Sequence, residues 1–132
     1  MGCKIFQIFL MAVAIASPAW AQEPQPVVQG DIAYIDGGVS LEERDALGAV
    51  RKDYNLLILN TSKNGEFLAA DHFMIRSGKG QELLNIADAG PWIYVKLPPG
   101  SYKIEASVGG EHQKKNVQIS KGKTANLHLT WE

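Results

Sequence analysis

The chain has 132 residues, with 13 basic and 14 acidic side chains, three histidines and one cysteine, for a net charge of −1. So even a balance argues against a nucleic-acid binder, which would carry a basic patch or stripe, and a single cysteine excludes an internal disulfide and a zinc–thiolate cluster. Stability must come from one hydrophobic core, which a chain of this length can build.

In chain order, Lys4 precedes the apolar run "IFQIFLMAVAIA", and small residues at Ala19 and Ala21 flank Trp20. A positive start, a short apolar middle and an A-x-A end describe a secretory signal peptide over residues 1–21, too short for a typical membrane span. Cleavage after Ala21 removes Cys3 with the signal and places the protein in the periplasm or outside the cell. Cys3 stands before the apolar run, so it is not placed as a lipoprotein cysteine, and Phe6 occupies the position where myristoylation wants Ser or Thr.

Residues 22–39 read as a flexible leader with one short strand in "DIAYIDGG", where Ile32 and Tyr34 alternate with smaller or polar residues. A helix is predicted over residues 40–53. Ser40 stands three residues before Glu43, the spacing of a capping box in which the Glu43 carboxylate returns to the Ser40 amide. Leu47, Val50 and Tyr54 then form one apolar stripe.

From residue 54 the period changes to two, and residues 54–132 hold seven strand segments. "NLLILN" is followed by a "KNG" hairpin turn and by "EFLAADHFMIR". Then come "QELLNIAD", "PWIYVKL", "SYKIEASV", "HQKKNVQIS" and "TANLHLTW". The fold expected is mainly β: a seven-stranded antiparallel Ig-like β-sandwich preceded by one short α-helix. Between two of these strands stands Leu97-Pro98-Pro99-Gly100, followed by Tyr102. Pro98 has a fixed φ, Pro99 holds Pro98 extended, and Gly100 supplies the reversal. The stretch is a corner, with Tyr102 placed to return its hydroxyl to a nearby backbone group.

L-P-P-G-x-Y-x-I-x-A, with G-E-F-L-A upstream, resembles the carboxypeptidase regulatory-like domains, which are transthyretin-like β-sandwiches. The resemblance covers about residues 54–131. It implies a non-catalytic module of a small exported Gram-negative protein, with no cofactor and with a protein or glycan partner in the cell envelope. Asp71 departs from the pattern, because alternation with Phe73 and Ile75 assigns it to the interior. It stands at the sandwich rim, at a bulge, or buried with a partner.

The chemistry expected is binding rather than catalysis. None of His72, His112 and His128 opens an H-x-x-E pair, so as metal ligands they are candidates only for a divalent site assembled by the fold. "GKT" at 122–124 lacks the earlier glycine of a phosphate loop, and no G-x-S-x-G occurs. Asn60-Thr61-Ser62 fits a glycosylation acceptor, meaningful only in a eukaryotic host. Trp92, Tyr94 and Lys96 share one strand face, opposite Ile93, Val95 and Leu97. Two readings stand. Either the helix lies over them, covering Trp92 and leaving Tyr94 partly exposed, or they form an open aromatic platform for a glycan or a protein. Beside a binding module, a structural subunit of a larger exported complex and a periplasmic metal-binding protein stay open.

Overall fold

The seven period-two segments become strands, and two more precede them, in a computed structural model that describes residues 25–132. The expected signal peptide lies outside the described residues. The strands are β1 (Val27–Gln29), β2 (Ile32–Gly37), β3 (Leu56–Ser62), β4 (Ala70–Ser77), β5 (Glu82–Ala89), β6 (Trp92–Lys96), β7 (Gly100–Val108), β8 (Glu111–Ile119) and β9 (Ala125–Trp131). One helix, α1 (Leu41–Val50), continues as a 3-10 turn over Arg51–Asp53. Among the described residues no helix is long and apolar enough to cross a membrane.

Two sheets face each other. The first runs β1-β2-β6-β3-β9 and the second β5-β4-β7-β8. Their inner faces share one core, to which Ile58, Ile93 and Trp131 contribute from the first sheet and Phe73, Ile75 and Ile104 from the second. This is the layout of a β-sandwich.

Three expectations need correction. Among the described residues there are nine strands, not seven, because the stretch read as a leader supplies both β1 and β2. Ile32 and Tyr34 of β2 belong to the main core, which is why that segment is ordered as a strand. The helix accordingly does not precede the sandwich; it is inserted between β2 and β3. Nor is the sheet wholly antiparallel, since β3 and β9 pair in parallel from Leu56↔Ala125 to Ser62↔Trp131.

The "KNG" turn is also shorter in effect than a full hairpin. Ser62 N–H donates to Glu66 at 2.8 Å and Leu68 N–H to Asn60 at 3.0 Å, and then the chain leaves for the other sheet. The strand expected from Glu66 therefore starts at Ala70. Asn60 itself is fully buried, and its Oδ1 accepts the Trp131 indole N–H at 3.0 Å. That burial removes it as a glycosylation acceptor.

Asp71 lies at the rim. Ala70 and Phe73 both face the core although three residues apart, and opposite them Ile86 and Ala89 do the same. The alternation breaks on both strands together, at Asp71 and at Asp88, whose φ is 56°. Asp71 is thereby turned outward, and its carboxylate accepts the Gly109 N–H at 2.8 Å.

Candidate functional site

The outer face of the first sheet carries the aromatic residues singled out above, and α1 is packed on it. Ser40 caps the helix by accepting the Glu43 N–H at 3.1 Å. The Glu43 carboxylate reaches further back than a capping box requires, to the Gly38 and Val39 N–H groups at 3.1 and 3.0 Å. It thereby ties the β2–α1 loop to the helix. Beneath the helix a second apolar cluster joins Leu47 and Tyr54 to Ile35, Leu57 and Tyr94. Burial pushes the Tyr54 and Tyr94 hydroxyls above their ordinary pKa of 10.0.

The covered reading thus holds for this face, but the two aromatics are exchanged. Tyr94 is only 3 % exposed, whereas Trp92 is half-buried. Tyr94 sits mid-strand in the cluster with Leu47 and Tyr54, while Trp92, at the start of β6, packs against that cluster and keeps part of its surface exposed. The Trp92 ring is bounded by Gly38, where an added Cβ would come within 2.0 Å of Cδ1 and where φ is +97°. Only glycine fits that approach. Lys96 is exposed at the far end of β6, about 13 Å along the strand from Trp92. There it lines a different depression, of about 530 Å³, with Lys52 and Lys123. The three residues do not form one platform.

What remains open is a patch at the N-terminal end of α1. Phe67 meets Trp92 edge to face at 5.8 Å between centroids, and the Arg44 guanidinium lies 4.7 Å over the Phe67 ring. Leu41 stands one turn before Arg44, and so on the same side of the helix. Val39, Leu41 and Phe67 are 74, 66 and 38 % exposed. Arg44 Nε and Trp92 Nε1 are enclosed without an acceptor among the described residues, so ring contacts hold the cluster together. Nothing in the sequence marks Leu41, Arg44 and Phe67 as a patch, since alternation assigns Phe67 to a strand and the cap at Ser40 assigns Leu41 to a helix start.

The corner is where it was expected. Tyr102 Oη donates to the Pro98 carbonyl at 2.6 Å, and Gly100 has a φ of 154°. The bend carries the chain from β6 in one sheet to β7 in the other, with Leu97 and Tyr102 both in the core.

No family model matches the chain. No curated protein matches it either.

The histidines divide between the sheets. His128, on β9, has its Nε2 2.7 Å from the Thr61 hydroxyl on the outer face of the first sheet. His72 and His112 both lie on the outer face of the second sheet. Nearby, Arg76 Nε donates to Glu105 at 2.8 Å, and this bond holds the Glu105 carboxyl below the usual carboxylate range. Among the described residues no three His, Cys, Asp or Glu side chains gather as a metal centre.

Proposed function

We propose that the protein is an exported, non-catalytic β-sandwich module that binds a protein partner in the cell envelope, periplasmic or secreted. The observation that carries this is the exposed apolar and aromatic patch of Val39, Leu41 and Phe67, with Arg44 stacked on it and Trp92 behind. Aromatic and arginine side chains in an apolar setting are the usual anchors of protein interfaces. A glycan partner is less well supported. A sugar ring needs an open aromatic face, yet Tyr94 is buried and Arg44 occupies a face of Phe67. Export is supported by the pattern of residues 1–21. The two-sheet core fits the resemblance of residues 54–131 to carboxypeptidase regulatory-like, transthyretin-like domains, and such modules commonly dock rather than catalyse.

The test is site-specific photocrosslinking in the native host. A crosslinker at position 41 or 67 should yield a discrete adduct with one protein, and one at Lys103, on the outer face of the second sheet, should not. Phe67→Ser should abolish capture of that protein with the melting transition still cooperative. Equal labelling from positions 67 and 103, or adducts with glycan alone, would remove the protein-docking reading.

A further inference from the structure

The strand register on the second sheet brings together two histidines that are far apart in sequence. His72 of β4 is paired with Ser107 of β7, and Ser107 with His112 of β8, so the three form one row across the sheet. The next row is Met74, Glu105 and Lys114. Neighbouring strands lie about 4.8 Å apart, so the two histidine positions stand on either side of Ser107, whose side chain is short. A depression of about 150 Å³ lies there, and His72, Met74, Ser107 and His112 are among its lining residues.

The tautomer of His72 follows from its neighbours. Asn85 Nδ2 donates to Glu82 Oε2 at 3.3 Å, which turns Asn85 Oδ1 toward His72 Nε2 as an acceptor. Nε2 must therefore carry the proton, and in the neutral ring Nδ1 is left with a lone pair and no partner among the described residues. A histidine that binds a metal through one nitrogen commonly donates the other N–H to an oxygen in this way. Met74, two residues along β4, lies on the same face and adds a thioether. Glu105, the carboxylate in the depression, is engaged by Arg76. The nitrogen and sulfur donors that line it are two imidazoles and a thioether, a set that favours copper over zinc and over hard cations.

We propose that His72, His112 and Met74 form a surface copper site, independent of the docking patch on the other sheet. The test uses the full chain carrying Cys3→Ser, which removes its one thiol. Cu(I) is titrated in competition with a colorimetric chelator, Zn(II) is titrated in parallel, and X-ray absorption is recorded at the copper edge. One copper per chain should bind with nitrogen and sulfur scatterers, and more tightly than zinc. His72→Ala and His112→Ala should each weaken it at least tenfold, and Met74→Leu should remove the sulfur scatterer. Asn85→Leu should cost about 10- to 100-fold through loss of the orienting acceptor. His128→Ala, on the other sheet, should change nothing. Metal-free melts establish that each variant is folded, with His72→Gln in reserve if His72→Ala is not. Absence of stoichiometric copper, affinity indifferent to both His72→Ala and His112→Ala, an equal loss in His128→Ala, or tighter zinc than copper would each overturn the site.

Discussion

At Tyr102, one hydroxyl ties down the bend by which the chain passes from one sheet to the other. The ring is buried and its oxygen reaches the Pro98 carbonyl, four residues back, at 2.6 Å. Tyr102→Phe keeps the ring and removes only the bond, so it should lower stability by about 1 kcal/mol. Urea denaturation of both proteins measures this, and an unchanged midpoint would mean that water replaces the bond without loss. The corner was legible because each of its residues is restricted by its own chemistry: two prolines, a glycine and a tyrosine leave one geometry. Glu43 was legible only in part. Its spacing from Ser40 marks a cap, but which amide it reaches depends on the path of the β2–α1 loop, and it chose Gly38 and Val39. Alternation likewise assigned Trp92 and Tyr94 to one face correctly and could not assign their depth. Depth depends on where along the strand the helix sits.

Whole strands were read well from alternation, since inward and outward residues on β6, β7 and β9 follow it closely. Their neighbours were not. Period two states which side chains share a face and says nothing of which strand lies alongside, so the parallel pairing of β3 with β9 had no signal. Short β1 was missed for another reason: besides its pairing with β2, it is held by side-chain amide bonds, which alternation does not report. Gln29 Nε2 donates to the Asn85 carbonyl at 2.9 Å, and Gln29 Oε1 accepts the Asn85 N–H at 3.0 Å. One glutamine thus satisfies the outward-facing backbone of β5 as a further strand would, and links the edges of the two sheets. Asn55 does the same for Leu97, with bonds of 2.7 and 2.8 Å. Gln29→Ala removes two such bonds and should cost roughly 1 to 2 kcal/mol. Hydrogen exchange locates the effect, because the Asn85 amide should exchange faster while amides in β7 keep their relative protection. Exchange at Asn85 that does not change would show the clamp to be idle.

For the molecule as a whole, residues 54–132 were expected to be the sandwich and residues 22–53 its preface. The packing contradicts that division. β2 occupies a place inside the first sheet, hydrogen-bonded to β6 on one side and β1 on the other. Its residues serve both faces: Ile32 and Tyr34 enter the main core, and Ile35 joins Leu47 under the helix. Asp36 adds a carboxylate that accepts the Gly90 N–H at 2.6 Å, fixing the β5–β6 turn. A chain starting at residue 54 would lack all of these. Ile32, Tyr34, Ile35 and Leu47 alone, at about 1.5 to 3 kcal/mol for each buried side chain, amount to roughly 6 to 12 kcal/mol. Total stabilities of domains this size are about 5 to 15 kcal/mol, so the loss is as large as what there is to lose. It would also leave β6 as an edge and strip Ile35 and Leu47 from Tyr94, an invitation to association. The expected result is that residues 25–132 give a dispersed amide spectrum and one cooperative melt, while residues 54–132 give neither and bind a hydrophobic dye. A cooperative melt from residues 54–132 would restore the boundary read from the sequence and make the first strands and helix an accessory layer.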